Sequence, residues 1–304
     1  MHPLPASMKN SPVSAASLRR YTGAGLALAL GLSLAACTEN KTPPPPAPPT
    51  PTAAEVNAEP RDYALYTEMV WNDEFAGSAI DPAKWGYDIG GSGWGNNELE
   101  YYTSSSENAY LNNGNLVIEA KRQSQGGRDY TSARMLTKGK QSFRYGRIDV
   151  SAKLPKGQGI WPAIWMLGAD IDQNNWPKCG EIDIMELRGQ EPNKILTTMH
   201  FPKTDGTREF KGSPDQVLPS GNFSDAFHTF SVVRSKDQMR FFLDGKQYYT
   251  FTPSDVNGGG YPFNNPFFMI LNVAVGGDFL GNPNASTVFP QKMEVDYVRY
   301  YQYK

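Results

Sequence analysis

Three carboxylates stand within six residues at Glu181-Ile182-Asp183-Ile184-Met185-Glu186, in a stretch that is otherwise apolar and β-prone. Side chains on a regular strand alternate faces, so Glu181 and Asp183 point one way and Glu186 the other. One β-bulge between Asp183 and Glu186 absorbs a residue and brings all three to one face. The two glutamates then lie about four pleated steps apart, roughly 13 Å between Cα atoms. Long side chains leaning inward close that to about 5–5.5 Å between carboxyls, the separation used in retaining glycoside hydrolysis. One carboxylate then serves as nucleophile and the other as acid/base. The plain alternative is a solvated acidic strand face; the chemistry implied is cleavage of a polysaccharide.

Two tryptophans add to this. Trp161 and Trp165 are four residues apart, which on a strand puts both on one face. Flat indoles there suit sugar rings, although two core tryptophans would show the same spacing. The chain has 304 residues, a net charge of −2 and 12% aromatics, with 6 Trp and 16 Tyr. That balance offers no basic stripe for phosphates, so nucleic acid is not an expected partner. Most aromatics are expected to fill a core.

The elements that must position these residues are short strands. Leu116–Ala120, Tyr145–Ala152, Arg240–Leu243 before the Asp244-Gly245 turn, Phe267–Val275 and Met293–Tyr301 are β-rich runs between turn signals. No long 3.6-residue pattern and no internal repeat interrupts them. The fold expected is all-β, a sandwich or jelly roll, in one domain over residues 63–304.

The first part of the chain reads differently. Arg19-Arg20 precedes an apolar run from Ala24 to Ala36, too short for a confident membrane span. It ends Leu34-Ala35-Ala36-Cys37, which resembles the bacterial lipobox. Residues 1–36 are therefore expected to be a lipoprotein signal peptide and Cys37 the lipidated residue, an ordinary secreted protein being the alternative. Thr38 after the cysteine favours an outer membrane. Thr42–Pro51 is proline-rich and extends at about 3 Å per residue, so residues 37–62 are expected to be a disordered tether. Cys37 and Cys179 make no disulfide framework, and Cys179 is expected to be a small buried side chain. The protein is thus expected to be exported and lipid-anchored in the cell envelope, as a monomer.

Residues 68–303 resemble glycoside hydrolase family 16, and within it the bacterial laminarinase-like endo-β-1,3-glucanases. The resemblance rests on Trp71-Asn72-Asp73-Glu74-Phe75, Gly95-Asn96-Asn97-Glu98-Leu99-Glu100-Tyr101-Tyr102-Thr103 and Thr131-Ser132-Ala133-Arg134. Gly159-Ile160-Trp161-Pro162-Ala163-Ile164-Trp165-Met166, Trp176-Pro177-Lys178-Cys179-Gly180, the acidic motif, Asn272-Val273-Ala274-Val275-Gly276-Gly277 and Val295-Asp296-Tyr297-Val298-Arg299 follow in order. It implies a jelly-roll β-sandwich of two curved antiparallel sheets with a substrate cleft on the concave face. The spacing E-x-D-x-x-E is the bulged form of the laminarinases, agarases and carrageenases; lichenases and xyloglucan enzymes lack the inserted residue, here Met185.

The resemblance implies roles. Glu181 is the nucleophile, Glu186 the acid/base and Asp183 the residue that orients the nucleophile. Trp161 and Trp165 are stacking platforms at the glycone side, with Trp176 a further candidate. Asn96 and Arg134 bond sugar hydroxyls, an ion pair being the alternative for Arg134. His200 lies in the cleft, His228 is structural, and Asn272 is either a cleft residue or a buried strand asparagine. No cofactor is required, but one structural Ca²⁺ is implied at Glu74, Gly114 and Asp296. The expected activity is endo-cleavage of β-1,3-glucan, with mixed-linkage β-1,3-1,4-glucan also in reach. The rivals are an agarase or another galactan hydrolase, and a non-catalytic glucan-binding surface lipoprotein. Sulfated galactan calls for several basic residues at the cleft, and only Arg134 is evident.

Overall fold

Period-two alternation of dry and wet side chains sets the architecture. The computed structural model describes residues 52–304. Its early strands are β1 (Tyr66–Asp73), β2 (Gly86–Asp88), β3 (Glu100–Tyr102), β4 (Ala109–Asn112), β5 (Asn115–Ala120) and β6 (Tyr130–Ser132). Then come β7 (Arg134–Leu136), β8 (Gly146–Lys153), β9 (Ile160–Gly168), β10 (Glu181–Leu187), β11 (Lys194–Pro202) and β12 (Arg208–Gly212). The last are β13 (Gln216–Val217), β14 (His228–Ser235), β15 (Gln238–Leu243), β16 (Lys246–Phe251), β17 (Phe267–Val275) and β18 (Gln291–Tyr303).

Two eight-stranded sheets form, the first in the order β16-β15-β14-β8-β18-β5-β4 with β1 also against β18. The second runs β12-β11-β10-β9-β17-β7-β2, with β13 against β11. Every pairing within them is antiparallel. Their inner faces share one core: Ile118, Ile148, Val150, Val232 and Val298 come from the first sheet, and Ile164, Met166, Ile182, Leu271 and Val273 from the second. Burying each such side chain contributes roughly 1.5–3 kcal/mol. This is the expected all-β jelly-roll sandwich, and its second sheet turns the opposite face of β9, β10, β11 and β17 outward.

One charge sits deep in the interior. Arg234 on β14 is 1% exposed and donates to the main-chain oxygens of Phe143, Phe263 and Asn265 at 2.8, 2.8 and 2.7 Å. Its guanidinium lies 4.6 Å over the Phe267 ring. Burial pushes its pKa down to about 10.

The signal peptide, Cys37 and the proline-rich run through Pro51 lie outside the described residues. The boundary expected at Tyr63 needs correction, because the residues ahead of it are packed. Ala53–Val56 form a short helix. The Asn57 side chain then takes the place of a neighbouring strand, accepting from Tyr303 N at 2.7 Å and donating to Tyr303 O at 3.4 Å. Ala58 O accepts from Lys236 N, and the Arg61 guanidinium lies 3.9 Å over the Tyr303 ring. Polar residues with no periodicity carry these bonds, so hydrophobic patterning gave no sign of them. Among the described residues no helix is long and apolar enough to cross a membrane.

Candidate active site

Strand β10 lies between β9 and β11. Against β11, Asp183 pairs with Thr198 and Glu186 with Leu196, so three steps on one strand match two on the other. Against β9 the same slip falls between Asp183 and Met185. The bulge sends two consecutive side chains inward: Ile184 and Met185, 1% and 0% exposed, both join the core. Glu181, Asp183 and Glu186 consequently share the outer face and line an open cleft of about 800 Å³.

Each glutamate is met by an indole. Trp176 Nε1 donates to Glu181 Oε2 at 2.7 Å, and Trp161 Nε1 to Glu186 Oε1 at 3.1 Å. The Thr198 hydroxyl adds a longer bond to Glu186 Oε2 at 3.4 Å. His200, paired across the ladder with Glu181, holds Nε2 3.6 Å from Glu181 Oε1 and 3.3 Å from Asp183 Oδ2. The last contact lacks hydrogen-bond geometry, and Asp183 Oδ2 is buried with no bonding partner.

Burial is the main force on all three acids. It pushes Glu181 up to about 8, helped by the neighbouring Asp183 charge. Glu186 rises to about 8 for the same two reasons. Asp183 is driven well above the carboxylate range by burial, which the Arg208 charge opposes. Loss of one proton leaves a charge that discourages loss of the next, so the three titrate together. An Asp183 that keeps its proton is a donor, placed within 4.8 Å of Glu181 and His200.

The remaining expected residues fall around this centre. Trp161, Trp165, Trp176, Asn96, Arg134, His200 and Asn272 all line the cleft. Arg134 lines the cleft and is also ion-paired: its Nε is 2.9 Å from Asp88 Oδ2, and its guanidinium faces the Trp94 and Trp165 rings at 4.8 and 4.6 Å. Asn272 is likewise both lining and buried, accepting from Trp165 Nε1 at 2.7 Å and donating to Tyr102 at 3.0 Å. Tyr102 in turn donates to Glu98, which also accepts from Asn96. This chain fixes the Trp165 indole from below. Gly277, at φ 98°, passes so close that an added Cβ would meet Asn96 O at 2.7 Å. His228 is elsewhere, bonded to Asp244 at 2.8 Å. Cys179 is a buried free thiol.

Several lining residues had drawn no attention: Trp94, Arg188, Arg208, Phe210 and Phe279. The view that Arg134 stands alone in basic character is therefore corrected. Arg188 and Arg208 join it, but each is engaged. Arg188 Nε donates to Phe279 O at 3.1 Å, and Arg208 Nε to His200 Nδ1 at 3.0 Å.

The calcium candidates converge at one edge of β18. There β1 ends with Asp73 opposite Val298, and β5 begins with Leu116 opposite Val295. Glu74 does not offer its side chain: Arg299 grips both oxygens at 2.9 and 2.7 Å, and Asn72 adds a third bond. The exposed Asp296 carboxylate and the main-chain oxygens of Glu74 and Gly114 are the hard donors left.

A β-sandwich with paired carboxyls and indoles lining an open cleft defines a glycoside hydrolase. Residues 96–299 match the model of glycosyl hydrolases family 16, and the chain belongs to that family. It is 40% identical to a beta-glucanase of Rhodothermus marinus, over 82% of this chain and 90% of that protein. It is 39% identical to glucan endo-1,3-beta-glucosidase A1 of Niallia circulans over 80% of this chain, but spans 39% of that longer protein. The laminarinase catalytic domain of Thermotoga maritima superposes with a TM-score of 0.72 at 45% identity, covering 77% of this chain and 98% of that one.

Proposed function

We propose that this protein is a retaining endo-hydrolase of internal β-1,3 bonds in laminarin-type glucan, with mixed-linkage glucan as a second substrate. The observation that carries this reading is the bulged β10, which sets Glu181, Asp183 and Glu186 on one cleft wall, each glutamate holding an indole N–H. The relatives' glucanase activities support it.

Glu181 attacks the anomeric carbon while Glu186 gives its proton to the leaving glycosidic oxygen, and the C–O bond breaks. The sugar is left as an ester on Glu181. Glu186, now ionised, takes a proton from water, whose oxygen displaces Glu181 and restores both groups. Glu181 must be ionised to attack, and Trp176 Nε1 favours charge there. Because the acids titrate together, a charge on Glu181 holds the proton on Glu186. Protonated Asp183 orients Glu181. Trp161 and Trp165 give the sugars flat faces, and Asn96 and Arg134 supply donors at the rim.

A galactan reading is weaker because all three cleft arginines are tied to protein partners. A purely binding role leaves three buried acids without a purpose. Glu181→Gln should abolish release of reducing ends from laminarin while laminarin still binds; wild-type turnover in that variant would end the proposal. The first product seen by NMR should be the β-anomer. We also propose a calcium ion at Asp296, Glu74 and Gly114, and a lipid anchor at Cys37 that rests on Leu34-Ala35-Ala36-Cys37 alone.

A further inference from the structure

The cleft imidazole is held from behind. Arg208 on β12 donates from Nε to His200 Nδ1 across 3.0 Å. An arginine has donors only, so Nδ1 must present its lone pair and the ring proton must sit on Nε2. That nitrogen faces Glu181 and Asp183 at 3.6 and 3.3 Å. We propose that Arg208 is a positioning residue that locks His200 in the neutral Nε2–H tautomer, so that the acids face a neutral N–H instead of a second cation. This rests on the reading of Glu181 and Glu186 as the reacting pair.

The groups around the ring pull in opposite directions. Glu181, Asp183 and Glu186 on β10 favour an imidazolium, while Arg208 opposes it twice, by its charge and by occupying the Nδ1 side with a donor. The Trp176 and Phe210 rings, with centroids 6.2 and 5.9 Å away, flank the imidazole and carry no charge. Burial first and Arg208 with it hold the ring's pKa below its ordinary value despite the acids. The consequence reaches the chemistry. A charged ring would draw the proton off Glu186, whereas a neutral one leaves it in place for the leaving group.

The chain has 3 histidines, so ¹⁵N imidazole NMR of the whole protein resolves the question, with His200→Gln assigning the signal. The wild type should show the Nε2–H tautomer at neutral pH. Arg208→Met, similar in length but without a donor, should mix the tautomers and raise the ring pKa by about one unit. On laminarin, kcat/KM should then change between the wild-type and the raised ring pKa, the pH range where only the variant's ring is charged, and Arg208→Lys should restore both readouts. An Nδ1–H tautomer in the wild type overturns the proposal, as does an unmoved tautomer and pKa in Arg208→Met. A raised KM with an unmoved pH profile also overturns it and makes Arg208 a sugar contact. The tautomer is read without substrate, so it stands or falls separately from the glucanase reading.

Discussion

Glu181 and Glu186 store a conflict between stability and activity. An ordinary glutamic acid ionises near 4.5, whereas folded Glu181 holds its proton up to about 8. Between those values the unfolded chain binds fewer protons than the folded one, so stability falls as pH rises through that window. Glu181→Gln removes the liability. Its melting temperature by calorimetry should match the wild type near about pH 4 and exceed it at about pH 7.5, by on the order of 2 kcal/mol of stability. A wild type whose stability is flat across that range would contradict the buried, protonated cluster. Activity has limits on both sides, since Glu181 must be ionised to attack and Glu186 protonated to act as an acid. The working form is the cluster that has lost one proton, and activity must fade above about 8 as Glu186 loses its own.

The strand that carries these acids works through its irregularity. Deleting Met185 would restore strict alternation as Glu-Ile-Asp-Ile-Glu, which keeps the three acids on the cleft face, brings the two glutamates one residue closer and takes a fully buried side chain out of the core. That variant should keep measurable laminarin hydrolysis and lose about 2–5 kcal/mol of stability in urea unfolding, the cost of a methionine missing from the core. Complete loss of hydrolysis would show that the bulge itself sets the working distance between the glutamates. At the β18 edge, a chelator should lower the melting temperature by a few degrees and leave kcat unchanged, and Asp296→Asn should abolish the calcium response. The acids, the bulge and the strands from Phe267 to Val275 were legible because alternation and residue type are local signals. Arg208 was not, since Arg208-Glu209-Phe210-Lys211-Gly212 has no apolar pattern and reaches the cleft only by pairing with β11. Trp94 was hidden for another reason: its backbone adopts φ 49° in a turn, and nothing in the residue type announces that. The Tyr102–Asn272–Trp165 chain joins residues far apart in sequence, which periodicity does not connect.

At the scale of the whole molecule, the two ends of the described chain are fastened together. Asn57→Ala breaks the bonds that stand in for a strand beside Tyr303, and should cost about 1–2 kcal/mol in a urea melt with kcat on laminarin unchanged. A loss of kcat would mean that this fastening also shapes the cleft. The cleft, meanwhile, has a property of a different kind. Of the chain's 6 tryptophans, Trp94, Trp161, Trp165 and Trp176 line it, and two donate directly to Glu181 and Glu186. The protein's ultraviolet emission is therefore weighted toward the groove. Its colour and quantum yield should follow the ionisation of the acids and the arrival of a sugar, which would make the protein its own unlabelled optical sensor of occupancy.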